Sequence, residues 1–248
     1  MSRQLAVLTF ALLLPLSAFG EATFYYAELD GSQAHEMVVV NKNVYIGDAE
    51  GGMLYIGPED QFYMLDHEDE VAILFNEEDA AGMADSMMNR MELELSNMPA
   101  DQAAALRAMI KQKMPAVAEK VKSEARSTGE SDNVNGFPCK EWIVSIGGKD
   151  SVKNCVAPPS KLKISKADYQ AVRAAFTKME SVFSSFSRAF GNDNPGFGFG
   201  DIEGIPVKVE SLQGSDVSML EKISGEADTG RTTLPESYDI QSMADAMQ

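Results

Sequence analysis

The chain has 248 residues, of which 44% are hydrophobic, and its formal net charge at pH 7 is −17. A chain of this length can bury a sizeable core. Its charge argues against binding to nucleic acids or to anionic membrane surfaces, because it would repel phosphate groups instead of neutralising them. We expect this charge mainly to favour solubility, and it also suits a basic protein partner.

Residues 1–20 have the pattern of a secretory signal peptide. Arg3 is their only charge, an apolar run extends from Leu5 to Leu16, and small residues precede a predicted cut after Gly20. The alternative, a retained membrane anchor, needs about 20 apolar residues, whereas this run is shorter and contains Pro15. No cysteine follows the cut, so we expect no lipid anchor. The pattern predicts export to the periplasm of a Gram-negative bacterium, with no integral membrane segment after cleavage.

Residues 23–75 have the pattern of short strands at even spacing. Asp-Gly, Gly-Gly and Gly-Pro pairs separate several of them. The segments are TFYYAELD, HEMVVVNKN, VYIGD, GMLYIG, QFYMLD and EVAILF. Hairpin-sized links between successive strands predict an antiparallel meander with one packed face and one wet face.

The hydrophobic period changes from two to about 3.6 residues at Asn76. Two helices are therefore predicted within a helical insertion at residues 77–126, the first of them rich in methionine. Pro99 suits the first turn of the second helix, and Pro115 is expected to kink or restart it. The first helix has apolar residues four apart, at Met83, Met87, Met91 and Leu95.

The sequence predicts a polar linker at residues 127–135 and a β-hairpin at residues 135–155. Folding about Gly148 brings Cys139 and Cys155 close enough for a disulfide, which the chain-entropy model values at about 3 kcal/mol. An even pair of cysteines at hairpin spacing in an exported chain favours this bond over a Cys139 nucleophile.

Residues 165–190 form the strongest helical pattern in the chain. Ser165 and Asp168 suit a capping box at its start. The apolar stripe repeats at spacings of three and four through Tyr169, Val172, Phe176, Met179, Phe183, Phe186 and Phe190. Such a stripe most simply packs on the concave face of the sheet. Strands are predicted around residues 205–209 and 217–223, with a frayed tail at 241–248.

No candidate for catalysis or metal binding is convincing. His35 and His67 are the only histidines, no G-x-S-x-G motif is present, and His67 lies in an acidic run that indicates an exposed turn. The loop after Asn192 fits a calcium-binding frame poorly, because Phe197 occupies the position that requires glycine. We therefore expect no catalytic residues, no metal site, no cofactor and no enzyme activity.

The clustered methionines allow three interpretations. Ordinary core packing is the simplest. A plastic apolar surface for a lipid or for another protein is the second. Thioethers at positions 83, 87 and 91 could also bind Cu(I), since soft ligands select this ion.

Several segments together resemble a group of uncharacterised secreted bacterial proteins. They are the N-terminal meander, the PADQ segment at 99–102, the cysteine hairpin at 136–155, the helix start at 162–168 and the EGIPVKVE…LPESY ending at 203–238. That group is similar to the LolA/LolB-like superfamily of periplasmic lipoprotein carriers. The resemblance implies an α+β domain at 21–240: a strongly curved antiparallel sheet, or incomplete barrel, whose concave face is covered by helices around an apolar cavity.

These features predict a non-enzymatic binding protein or chaperone that carries an acyl chain or a lipidated or amphipathic protein segment. The residues expected to line its cavity are Met83, Met87, Met91, Phe176, Met179, Phe183 and Phe186. One alternative is a closed-core interaction module whose acidic surface contacts a basic periplasmic protein. Methionine-based Cu(I) binding is the other.

Overall fold

A computed structural model describes residues 20–29, 34–113, 123–190, 202–243 and 245–246 of the chain. Within these ranges, the side chains of residues 77–78, 80–81, 83–88, 109–113 and 185–190 are not described. The description therefore covers the predicted strands, most of both predicted helical regions and the cysteine hairpin.

The described residues form a 12-stranded sheet. In chain order its strands are β1 (Glu21–Glu28), β2 (His35–Val40), β3 (Asn43–Gly47), β4 (Gly51–Ile56), β5 (Gln61–Asp66), β6 (Val71–Phe75), β7 (Ser123–Val134), β8 (Phe137–Ile146), β9 (Lys149–Ala157), β10 (Ile205–Ser211), β11 (Val217–Ser224) and β12 (Asp239–Ser242). The helices are α1 (Glu77–Ser96), α2 (Ala100–Lys113), α3 (Pro159–Leu162), α4 (Lys166–Phe190) and the 3₁₀ helix η1 (Thr229–Thr232). Among them, no helix has both the length and the apolar character needed to cross a membrane.

The sheet consists of two antiparallel meanders placed side by side. Its strand order is β12-β6-β5-β4-β3-β2-β1-β11-β10-β9-β8-β7. The antiparallel pair β1–β11 joins the two meanders, and the parallel pair β6–β12 extends one edge. Helices α1 and α2 connect β6 to β7, which lies at the opposite edge of the sheet.

The predicted curved, incomplete barrel is wrong. The sheet is open, with β12 and β7 at its two ends, and it does not curl on itself. Residues 127–135, expected to be a linker, belong largely to the long edge strand β7 and to its turn into β8. Strands β7 to β11 extend the sheet sideways from β1 and do not close it. The fold is predominantly β with few helices.

Helix α4 packs across one face of the sheet, and α1 packs on α4. The capping box predicted at the start of α4 is confirmed. The backbone N–H of Asp168 donates to Ser165 Oγ at 3.0 Å, and the Ser165 N–H donates to Asp168 Oδ2 at 3.2 Å. Val172 and Met179 of the predicted apolar stripe are buried in the core, together with Val182, which the prediction did not include. The helix is therefore held by its apolar face, as expected for an amphipathic segment.

The other face of the N-terminal meander is covered by the segment that leads to β12. Leu234 and Tyr238 pack on a core cluster that includes Tyr45 and Leu54. His67, predicted to lie in an exposed turn, is half-buried and hydrogen-bonded to the Tyr238 hydroxyl at 2.6 Å. This segment ends in β12, which reaches Ser242 and therefore extends two residues into the region predicted as a frayed tail.

The predicted hairpin and its disulfide are confirmed. Cys139 and Cys155 are bonded, with a Cα–Cα distance of 5.4 Å, and both are buried. Gly147 and Gly148 form the two-residue turn with φ values of 57° and 81°, a conformation that favours glycine. Because Cys155 lies opposite Glu141 in the strand register, the disulfide links the two strands diagonally.

Removing the disulfide tests its contribution to stability. The 16-residue separation predicts that replacing both Cys139 and Cys155 by Ala lowers the free energy of unfolding by about 3 kcal/mol. Urea denaturation measures this difference. A reducing agent serves as the control, since it should destabilise the wild type and leave the double variant unchanged. Equal stability of the oxidised wild type and the variant would contradict the prediction.

The hydrogen bond between His67 and Tyr238 should help to hold the C-terminal segment on the sheet. Tyr238→Phe removes only the hydroxyl, and we expect it to lower the free energy of unfolding by about 1 kcal/mol. Tyr25→Phe is the matched control, because Tyr25 contacts Lys222 through its ring, which phenylalanine retains. Chemical denaturation of both variants provides the measurement, and equal effects would contradict a specific role for the Tyr238 hydroxyl.

Candidate ligand-binding pocket

A cavity of about 290 Å³ lies between α4 and the sheet. Six neighbouring strands, from β4 through β1 to β10, contribute to it together with the helix. Its lining is predominantly apolar and consists of Tyr26, His35, Met37, Ile46, Met53, Phe176, Met179, Pro206, Val209 and Ser218. Apolar concave sites with a few polar groups are the usual form of small-molecule binding sites.

Two irregularities in the sheet border this pocket. The register of β1 against β11 shifts between Tyr25 and Tyr26, and the register of β10 against β9 shifts between Pro206 and Lys208. Such β-bulges change the direction of side chains and bend the strand locally. Tyr26 and Pro206 both line the pocket, and the Tyr26 hydroxyl donates a hydrogen bond to the Pro206 carbonyl at 3.0 Å. This hydrogen bond thus links the two bulges at the wall of the pocket.

The aromatic polar side chains of the pocket form a stacked pair. Tyr26 and His35 lie opposite each other on β1 and β2, with ring centroids 5.0 Å apart and an interplanar angle of 2°. Burial raises the pKa of the Tyr26 hydroxyl, so this group remains a neutral donor. Burial also lowers the pKa of His35, although the carboxylates of Glu28 and Asp48 oppose this shift. Both rings are therefore uncharged at neutral pH.

The chemistry of the lining suits binding. Met37, Met53 and Met179 offer adaptable apolar contacts, because the thioether chain is flexible and polarisable. Within the described lining, no hydroxyl is hydrogen-bonded to a basic group, since Tyr26 bonds a backbone carbonyl and Ser218 Oγ has no partner. Across the described ranges, no cluster of three or more His, Cys, Asp or Glu side chains could hold a metal ion.

The structure brings together part of the predicted cavity. Phe176 and Met179 line the pocket. Phe183 instead packs edge to face against Phe62, with a centroid distance of 6.3 Å. Met91 is half-buried on α1 and is not part of the lining. The side chains of Met83, Met87 and Phe186 lie outside the described residues.

None of the eight strand residues that line the pocket was predicted from the sequence. Met37 and Met53 provided a signal, because each lies in a strand pattern that predicts one packed face. Tyr26, His35 and Ser218 provided none. Which face of their strands meets α4 depends on strand pairing and on bulges, and a single sequence does not contain this information.

A second cavity, of about 550 Å³, lies beside α3 and the start of α4. Its walls combine charged residues with apolar ones in about equal measure; the charged residues are Glu21, Lys161, Lys163 and Asp168. This larger cavity has a more polar lining and contains none of the predicted cavity residues. The pocket under α4 is therefore the stronger candidate site.

Comparison with known proteins identifies no family. No family model and no curated protein matches the chain. Structures of PNGF-II in the C2 and P21 space groups align over 92% of this chain, with a TM-score of 0.45 and identities of 10% and 9%. The chain spans 31% and 32% of the length of those proteins. A likeness this weak bears on neither the fold nor the function of this chain.

The environment of His35 predicts its titration. Because burial lowers the pKa of His35 in the folded state, the imidazole should titrate below about 6.5, the value of an unperturbed histidine. The stability that the neutral ring contributes is present above that pH and is lost as the pH falls through the lowered pKa. An NMR titration of the ring protons measures this pKa directly.

The His35→Phe variant assigns the resonance and retains a ring against Tyr26. We expect this variant to lose less stability than the wild type when the pH falls from 7 to 5. His67→Gln is the control and should keep the His35 titration unchanged. A midpoint at or above that of an unfolded histidine peptide would contradict burial of the neutral ring.

Proposed function

We propose that this protein is an exported, non-enzymatic binding protein that holds a small apolar ligand in the pocket between α4 and the sheet. The observation that carries the proposal is the apolar cavity of about 290 Å³, formed by side chains of six strands and one helix. Two of the residues predicted from the sequence to contact an apolar ligand, Phe176 and Met179, lie in its wall.

The volume of the pocket limits the ligand. An engineered cavity of about 150 Å³ holds one benzene molecule, so a cavity about twice as large has room for about ten carbon atoms. A short acyl chain or one or two apolar side chains of a protein segment would fit. The several long acyl chains of a lipoprotein would not. The volume therefore favours a small cargo among those that the sequence suggested.

Export is supported by two independent features. The Cys139–Cys155 disulfide is consistent with a secreted protein, because such bonds persist in oxidising compartments. The pattern of residues 1–20 predicts a cleaved signal peptide. Together they support a periplasmic location.

A protein-binding role of the acidic surface remains the second candidate, on the basis of the net charge of −17. This role does not require a ligand in the pocket. Because exposed charges interact more weakly as the salt concentration increases, such binding should be strongest at low salt. Retention of a basic periplasmic protein at low salt, together with a ligand-free chain, would favour this role. Cu(I) binding stays a prediction, since it depends largely on methionine side chains outside the described residues.

Native mass spectrometry with organic extraction tests the proposal on protein purified from a periplasm without detergent. We expect a small organic adduct that is lost on denaturation. Val209→Phe should abolish the adduct, because the larger ring fills the pocket at a half-buried position. Met64→Phe is the matched control, since Met64 is 42% exposed and lies outside the lining.

The amount of adduct in the two variants shows whether the ligand binds in this pocket. Loss of the adduct in Val209→Phe and its retention in Met64→Phe would support binding in this pocket. An adduct of unchanged amount in Val209→Phe would place the ligand elsewhere. A bare polypeptide mass in the wild type, with no uptake of added apolar compounds, would contradict the proposal.

A further inference from the structure

The cavity beside α3 and the start of α4 contains a buried carboxylate, and only one of its oxygens takes part in the capping box. Asp168 is 5% exposed and lines this cavity. Its Oδ2 accepts the hydrogen bond from the Ser165 N–H. No ion pair between described residues includes Asp168. Since buried charges in proteins are usually paired, a cation placed beside Oδ1 would be stabilised.

The backbone at Gly20 lies against this second oxygen. A Cβ atom at position 20 would be 1.8 Å from Asp168 Oδ1, so the position has room only for glycine. The Gly20 Cα is therefore within about 3.3 Å of Oδ1. The backbone nitrogen of Glu21 is two covalent bonds further along the chain, which places it within about 6 Å of the same oxygen. Glu21 also lines the cavity.

The predicted cut after Gly20 changes the charge at this point. Hydrolysis of the Gly20–Glu21 peptide bond by a signal peptidase transfers the hydroxyl of a water molecule to the Gly20 carbonyl carbon and its hydrogen to the Glu21 nitrogen. The amine that results takes up a proton at neutral pH, because an α-amino group has a pKa of about 7.7–8.0. Gly20 leaves with the signal peptide, and the space beside Oδ1 becomes free.

We propose that the α-ammonium group of Glu21 in the mature chain occupies the place that Gly20 leaves and forms an ion pair with Asp168. The cut thus links the start of β1 to the start of α4. An opposite charge within about 4–6 Å favours the charged form of an amine. This inference rests on the export that is part of the proposed function.

The other charges of the cavity act more weakly on this ammonium group. Lys161 and Lys163 line the cavity and repel a cation, and the carboxylate of Glu21 attracts it. All three residues are exposed, whereas Asp168 is buried. Because water and salt screen exposed charges more than buried ones, the attraction of Asp168 is expected to dominate.

Two chains that differ only in their first residue test the ion pair. One begins at Glu21 and the other at Ala18, and both are released from the same fusion partner. At pH 7 we expect the chain that begins at Glu21 to have a melting temperature about 3 °C higher. An amine that gains an anionic partner has a raised pKa in the folded state. The difference should therefore persist below about pH 8 and be lost as the pH rises further.

Asp168→Asn removes the charge and retains an oxygen that can cap α4. In this variant the two chain starts should have equal melting temperatures. Any cost of the substitution to the helix cap is common to both chains and cancels in their difference. Glu94→Gln is the matched control, because Glu94 is exposed on α1 and lies outside the cavity. It should leave the difference of about 3 °C unchanged.

The outcomes separate this inference from the proposed function. The intact mass of protein isolated from a periplasm should correspond to a chain that begins at Glu21. A different first residue would overturn the inference and leave export intact, whereas an uncut chain would contradict both. Equal melting temperatures of the two wild-type chains, or an unchanged difference in Asp168→Asn, would overturn the inference alone, since neither result depends on the pocket under α4.

Discussion

The pairing of β1 with β11 is the interaction on which the rest of the structure depends. These strands bring together residues about 200 positions apart, with Thr23 opposite Ser224, and they join two meanders that would otherwise be separate sheets. Phe24 on β1 and Leu220 on β11 are fully buried beneath α4. Because buried backbone groups must be hydrogen-bonded, neither strand could lie at the centre of the sheet without the other. The same pairing contains the bulge that places Tyr26 at the pocket.

Helix α4 has a structural role, and the proposed function adds a binding role along its apolar face. Val172 and Val182 are buried in the core, Phe176 meets the cavity, and Met179 does both. A ligand held there would contact the element that covers the sheet. Since a ligand that binds only the folded state adds to its stability, binding and folding are coupled at this helix. In the proposed function, the adaptable thioethers of Met37, Met53 and Met179 would allow the pocket to accept ligands that differ in shape.

The resemblance to lipoprotein carriers predicted the local elements of this fold but not the way in which they assemble. A meander, a helix with an apolar face and a cysteine hairpin are present in this chain, yet they belong to an open sheet rather than to an incomplete barrel. Closure depends on which strands become neighbours and on where bulges bend them, and these properties are not encoded in local periodicity. Function is therefore better argued from the pocket than from analogy of fold.

The sequence by itself determined the local elements. The period-two pattern of residues 23–75, the turn at Gly147 and Gly148 with its disulfide, and the capping box and apolar face of α4 all depend on neighbours within one element or one hairpin. Only the tertiary structure decided the strand order, the strand at residues 123–134 and the composition of the pocket. Ser218 and Tyr26 are almost 200 residues apart in the chain, and they share a cavity because β1 pairs with β11 and two bulges alter the direction of side chains. Such long-range pairing is set by the packing of the whole core, which no short stretch of sequence specifies.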